Sequence, residues 1–377
     1  MRKIRIGITG QSGFIGSHLK SYLTTKQEKT ELVPFSPVFF ESEEDLNTFV
    51  SRCDVIVHLA AKNRESDDIL YSTNLSLVGK LINALEKTRE KPRVVFSSSI
   101  QENRDNAYGR SKREGRKLFE DWARRNNAGF TALIIPNVFG PFGKPFYNSV
   151  ISTFSYQLTH DIQPHIEIDA ELDLIYVSSL VEKIYRIIID PHPEPTIFIP
   201  AEKKMKVSEL LEKLKNFHEQ YGKNHIIPRL GDYFEIGLFN TYRSYFEPGH
   251  FPVILVCSTD DRGFLIELVK ELCGGQIFYS VTRPGITRGN HFHSRKIERF
   301  CVIQGEARLQ LRRTGSDDII EYRLDGSTPS FVDIPVFYSH NITNTGNTDL
   351  ITIFWTNELY DHQDPDTWYE NVNRDTR

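Results

Sequence analysis

The spacing of apolar residues changes its rhythm once, near residues 244–252. Upstream, short apolar runs at 4–9, 31–35, 55–59, 94–98 and 132–136 alternate with stretches of helical spacing at 16–25, 69–88, 179–189 and 208–221. Such alternation predicts a parallel sheet with helices on both faces. Downstream, short runs at 253–257, 264–268, 276–282, 300–304, 308–312, 330–334 and 350–355 are separated by turn signals such as Pro284-Gly285 and Asp325-Gly326. That pattern predicts an all-β sandwich or barrel. With 377 residues the chain is long for one core, so two domains are expected, 1–245 and 253–377.

Composition narrows the partners. With 46 basic and 50 acidic side chains, the net charge of −4 leaves no footprint for nucleic acid. No apolar run reaches the roughly 18 to 20 residues that span a bilayer, so no membrane partner is expected. Cys53, Cys257, Cys273 and Cys301 lie far apart and read as free thiols of a reducing, cytoplasmic compartment.

Gly10-Gln11-Ser12-Gly13-Phe14-Ile15-Gly16 follows the first apolar run and opens a helical stretch. Glycines there permit a tight turn and close approach to a pyrophosphate, which a helix N-terminus then faces. A plain glycine turn is the bland alternative, and the strand–turn–helix context argues against it. Farther on, Tyr108 and Lys112 stand four apart, on one face of a helix, just after the serines Ser97-Ser98-Ser99. An ammonium beside a phenol is expected to lower its pKa and let it exchange a proton near neutrality.

The set TGQSGFIGSHL (9–19), HLAAKN (58–63), SSS (97–99), YGRSK (108–112) and PNVFGP (136–141) resembles the extended short-chain dehydrogenase/reductase family over roughly residues 1–245. The resemblance implies a Rossmann-type doubly wound α/β domain. It implies Tyr108 as general acid, Lys112 on the nicotinamide ribose, and Ser99, with Ser98 as alternative, on the carbonyl oxygen. It places the dinucleotide against Gly10, Gly13, Phe14, Ile15, Gly16, Ser36, Leu59, Ala60, Ala61, Lys112 and Asn137. Asn74 matches a helix asparagine of the family, with a purely structural role open. Two departures stand out. The Ser99–Tyr108 segment is short, and the second strand runs into Pro34-Phe35-Ser36 without the acid that binds an NAD ribose. The coenzyme is therefore read as NADPH.

The second half carries Arg288-Gly289-Asn290-His291-Phe292-His293, then Glu298, Gly305, Pro335, His340 and Asn344. His291 and His293 share one face of a strand, and His340 is expected from a paired strand across the barrel. Three imidazoles and a carboxylate suit a divalent metal such as zinc. A pair of surface histidines is the bland reading. The full spacing resembles the cupin family, with Phe337 where a glycine is usual; this alters a turn and leaves His340 in place. RGNHFH also resembles cupin nucleotide-sugar epimerases, in which a histidine is a catalytic base. Ligand and base therefore stay open for His291 and His293, as do a sugar or phosphate contact and a plain surface role for Arg288. The tail residues Tyr360, Trp368 and Tyr369 cap the barrel, cap a partner, or fray.

The two domains in this order resemble the bifunctional capsule and O-antigen enzymes of the CapF type. The resemblance implies C3 epimerisation of a UDP-2-acetamido-2,6-dideoxy-4-hexulose by the cupin domain. NADPH reduction of the C4 ketone follows, giving the L-talo sugar of the UDP-N-acetyl-L-fucosamine pathway. The substrate partner is a UDP-linked 4-keto-6-deoxy-HexNAc, and a homodimer is expected. Other readings are a single-activity reductase with a binding or dimerising cupin, a dehydratase or epimerase holding NAD tightly, and a non-catalytic dinucleotide sensor.

Overall fold

The computed structural model describes residues 2–261 and 263–374. They divide into two compact units, one of residues 1–139, 143–150 and 170–206, the other of 140–142, 151–169 and 207–377.

The first unit is built on a six-stranded sheet, in the order Thr30–Val33, Ile4–Thr9, Val55–His58, Arg93–Ser99, Phe130–Ile135 and Thr196–Phe198. Every neighbouring pair is parallel. The run Val55–His58 is buried at all four positions, as a strand covered on both faces requires. The helices fall into two groups. Phe14–Thr24 packs with Val177–Ile189, while Glu43–Ser51, Asp67–Thr88 and Ala107–Asn126 pack in succession. The second group shares an apolar core with the sheet through Ile56, Val94 and Phe96, with Phe119 and Trp122 from the helix Ala107–Asn126. This is the doubly wound domain the alternation predicts. A smaller sheet pairs Asn137–Phe139 with Glu171–Tyr176, and that strand with Lys203–Lys206.

The second unit holds two five-stranded antiparallel sheets. One runs Val253–Ile254, Ser330–Ile334, Glu298–Gln304, Leu350–Thr356, Gln276–Thr282; the other runs Ile319–Asp325, Glu306–Arg313, Tyr338–Asn344, Thr287–Phe292, Trp368–Tyr369. Both contribute to one core: Phe300, Val332 and Ile334 from the first sheet meet Leu309, Leu311 and Ile342 from the second. The helices Val207–Phe217 and Tyr233–Arg243, which the sequence pattern places with the first half, lie in this unit. Their anchors explain it. Tyr221 Oη donates to Asp333 at 2.7 Å, Arg243 to the Ile334 carbonyl at 2.7 Å, and Asn240 to the Arg295 carbonyl at 3.0 Å. The strand Ile319–Asp325, with no counterpart among the expected runs, forms a hairpin with Glu306–Arg313.

Candidate functional site

The dinucleotide residues collect at the carboxyl ends of the parallel strands. Gly10 ends the first strand at φ +75°, a conformation that favours glycine, and a Cβ there would lie 2.8 Å from the Ala60 nitrogen. A Cβ on Gly16 would lie 2.1 Å from the Gly10 carbonyl oxygen. The helix beginning at Phe14 and Ile15 therefore sits tight on the turn, and Gly13, its N-cap, has no side chain to occupy the helix's free N–H groups. Leu59, Ala60 and Ala61 leave the neighbouring strand Val55–His58 beside this turn, where Leu59 donates to the Thr9 carbonyl. On the other side, Gln11 donates to the Phe35 carbonyl, tying the turn to the residue before Ser36. Asn137 opens its own short strand and donates to the Asp173 carbonyl at 3.1 Å. Together they form a glycine cradle with open helix-terminal donors that fits a dinucleotide.

Asn106 caps the helix Ala107–Asn126, its Oδ1 accepting from the Gly109 nitrogen at 2.7 Å. Gly109 is required because a Cβ would lie 2.1 Å from the Gln101 carbonyl oxygen. The short Ser99–Tyr108 segment thus presses the helix start against the turn that follows the serines. Ser99 ends its strand, and its Oγ accepts from the Gln101 nitrogen at 3.2 Å, leaving the hydroxyl proton free. Ser98 is committed elsewhere, donating to the buried Glu102 at 2.6 Å, while Arg116 reaches both Glu102 oxygens. That commitment favours Ser99 over Ser98 for a substrate carbonyl.

Lys112 is 4% exposed and donates to the Ser97 carbonyl at 2.8 Å. Its Nζ is 5.7 Å from the centre of the Tyr108 ring. The phenol pKa does not fall as expected from this neighbour. Burial, with Tyr147 adding to it, pushes Tyr108 up to about 12, while burial brings Lys112 down to about 8. Desolvation outweighs an ammonium whose hydrogen bond is spent on a carbonyl. Asn74 ties the Lys62 backbone from both sides, accepting at 2.7 Å and donating at 3.0 Å, which is its structural role. His58, unassigned by motif, is fully buried beneath the site and pushed down to about 3 by burial, with Nδ1 2.8 Å from Thr9 Oγ1.

The second unit brings its four predicted ligands together. One donor atom from each of His291, His293, Glu298 and His340 lies within 4.8 Å of the others. His340 comes from a paired strand, as expected, but from the adjacent one, where it lies opposite His291; it is Glu298 that arrives from the facing sheet. A bulge between Gly289 and His291, with Asn290 at φ +59°, turns the histidines into register. Glu298 Oε2 is 3.1 Å from Nε2 of both His293 and His340. His340 Nε2 is buried without an aligned hydrogen bond, a lone pair shaped for a ligand role. Burial and the neighbouring imidazoles of His340 and His293 push His291 down to about 3. Burial opposes the shifts of the ion-paired groups, yet Glu298 raises His293, and His293 lowers Glu298. This donor set fits a divalent transition metal.

Phe337 stands at φ +61°, so the turn that usually needs glycine is kept with a buried phenylalanine. Its nitrogen donates to the His293 carbonyl at 2.7 Å. The histidines open on a cavity of about 320 Å³ walled by Phe278, Phe300, Phe354, Lys296 and Tyr360, with Arg288 at its lining. Arg288 is exposed and donates to Thr282 Oγ1 at 3.1 Å. The tail caps its own unit: Trp368–Tyr369 pairs with Phe292 and His291.

Residues 6–198 match the NAD dependent epimerase/dehydratase family, and residues 258–368 match the polysaccharide biosynthesis C-terminal domain. A Pseudomonas aeruginosa UDP-2-acetamido-2,6-beta-L-arabino-hexul-4-ose reductase is 30% identical over 369 residues, covering 97% of this chain and 98% of that one. The crystal structure of the capsular polysaccharide assembling protein CapF from Staphylococcus aureus is similar over 98% of this chain and 100% of its own, at 36% identity and a TM-score of 0.61. At 20% identity and a TM-score of 0.51, RMD from Pseudomonas aeruginosa, solved with NADPH, covers 58% of this chain and 83% of its own and shares the fold.

Proposed function

This chain belongs to the NAD dependent epimerase/dehydratase family, as a CapF-type nucleotide-sugar reductase/epimerase of polysaccharide biosynthesis, and from that premise we propose a bifunctional enzyme. The second unit, read as a cupin, inverts C3 of a UDP-2-acetamido-2,6-dideoxy-4-hexulose. The first reduces the C4 ketone with NADPH, giving UDP-2-acetamido-2,6-dideoxy-L-talose. The carrying observation is that one chain, matching a 4-ulose reductase over 97% of its length, keeps both a serine–tyrosine–lysine set and a four-donor cluster.

When bound at the glycine cradle, the coenzyme supplies a hydride. The phenol of Tyr108, held at about 12, keeps its proton at neutral pH and gives it to the more basic alkoxide oxygen forming at C4. The free Ser99 proton holds the same oxygen as a carbonyl beforehand. Lys112 fixes the helix start through Ser97 and would hold the ribose with its ammonium when the coenzyme is bound. NADPH is preferred because Ser36 stands where a ribose-binding acid would repel a 2′-phosphate.

In the second unit His291, His293, Glu298 and His340 would hold a divalent metal such as zinc, which supplies stabilisation for negative charge on the C4 oxygen. The ketone acidifies the C3 hydrogen, so a base can take the proton from one face while an acid in exchange with solvent delivers one to the other. Phe278, Phe300 and Phe354 give the cavity beside these donors an apolar wall against which the sugar ring can lie. A cytoplasmic setting is supported by four free thiols, and a homodimer is part of the reading. Among the described residues no helix is long and apolar enough to cross a membrane.

The test is NMR of the UDP-4-keto sugar with NADPH in deuterated water. Tyr108→Phe should lower reduction at least about 10³-fold while deuterium still enters C3. Wild-type enzyme that reduces without C3 exchange would instead be a single-activity reductase.

A further inference from the structure

We propose that the C-terminal segment 364–372 is part of the histidine–glutamate centre and that Asp366 is its positioning residue. The inference rests on the reading of that centre as a metal site. The Asp366 carbonyl accepts from His293 Nδ1 at 2.5 Å, across 73 residues of chain. That bond places the proton on Nδ1 and leaves Nε2 to face Glu298 as a donor atom, so the tautomer is set from outside the ligand shell.

The Asp366 carboxylate meanwhile gathers the turn that follows His293. It accepts from the nitrogens of Ser294, Arg295 and Lys296, each at 2.9 Å, from Ser294 Oγ at 2.5 Å, and from Trp368 Nε1 at 3.2 Å. Asp366 is 1% exposed and stands at φ +39°, a left-handed conformation that costs a non-glycine residue energy. The five donors hold it there. Farther along, the buried Arg312 secures the segment by donating to the carbonyls of Val372 and Asn371 and to the Glu370 side chain. Tail residues Tyr360 and Thr367 reach the cavity lining. A strained residue with a saturated carboxylate, aimed through its carbonyl at one ligand, is more than a strap needs for holding a tail.

The test measures zinc affinity of the full chain by chelator competition, together with the visible spectrum of its Co²⁺-loaded form. Asp366→Gly removes the carboxylate and tolerates the backbone conformation; zinc affinity should fall about 10- to 100-fold, and the Co²⁺ bands should shift. Trp368→Phe, which removes one hydrogen bond to Asp366, should weaken zinc by a few-fold and covers the case in which Asp366→Gly does not fold. Arg374→Ala, at a separate exposed tail ion pair with Asp317, should change neither readout. Unchanged affinity and spectrum in folded Asp366→Gly, or in Trp368→Phe where that variant alone folds, overturn the positioning role. A wild-type chain that takes up no zinc or Co²⁺ overturns the metal reading itself and the role with it.

Discussion

In the first unit the site residues arrive in chain order on the ends of neighbouring parallel strands, from Gly10 through Ala60 and Ser99 to Asn137. In the second they arrive by register: His291 opposite His340, Glu298 from the facing sheet, and Asp366 from the tail. The first design puts its contacts at strand ends and in the turns and helix starts that follow them, where they can vary while the sheet stays fixed. The second locks His291, Glu298 and His340 into packed strands and His293 just past a strand end, where a one-residue slip would turn the histidines away. An exchangeable coenzyme suits the former, and a resident ion suits the latter.

If the two sites are separate in this sense, His340→Ala should produce the mirror image of Tyr108→Phe. Binding of a structural zinc amounts to about 10–16 kcal/mol over four donors, so loss of one should weaken zinc by roughly 10²- to 10³-fold. Elemental analysis should find the variant depleted, C3 deuterium incorporation should vanish, and NADPH oxidation with an already epimerised ketone should continue. Loss of both activities together would break the separation.

The units also bury charge differently. Lys112 meets a carbonyl, whereas Arg299 and Asp333, each 1% exposed, form a two-pronged pair at 2.7 and 2.9 Å joined by Tyr221. Removing one partner of a buried pair costs about 3–5 kcal/mol, so Asp333→Asn should lower urea stability by that amount. Burial opposes it, yet Arg299 holds Asp333 below its ordinary 3.8. Its folded pKa is depressed, so the pair's contribution is complete above 3.8 and is lost as pH falls from there through the folded value. Acid titration followed by ellipticity of the β unit checks the window.

Much of this was legible because motifs are local. TGQSGFIG, SSS and YGRSK each sit in one contiguous strand end, turn or helix start, where sequence spacing is spatial spacing. Even Gly109 is explained by one neighbouring carbonyl oxygen. The four clustered residues His291, His293, Glu298 and His340 were legible as a set, but not which sheet delivers each, because register is decided by partner strands. Asp366 was not legible: nothing local marks an aspartate in a polar tail as the acceptor for a turn some seventy residues upstream. The Tyr108 pKa departs from the sequence expectation for a similar reason, since burial depends on the whole fold rather than on the lysine four residues on.

Phe337 sharpens the contrast at a single backbone angle. Its phenyl packs against Phe292 and Val336, and its left-handed φ costs about 1–2 kcal/mol. Deleting a buried phenyl costs about 3–5 kcal/mol. Phe337→Gly should therefore destabilise by about 1–4 kcal/mol on urea denaturation, although it restores the residue usual at that turn.

The smallest effect should run the other way in the first unit. Arg89 ends the helix Asp67–Thr88 at φ +57°, the same left-handed region, but its side chain is exposed. Arg89→Gly removes the Cβ clash at a C-terminal cap and gives up no buried surface. Part of the gain is offset by the greater freedom of glycine in the unfolded chain, leaving a stabilisation of about 0.5–1 kcal/mol, read from the urea midpoint with both activities unchanged. The sign is set by what the side chain touches, because the backbone angle is shared with Phe337. A destabilised Arg89→Gly would mean that the arginine holds a contact in solution worth more than the strain it imposes.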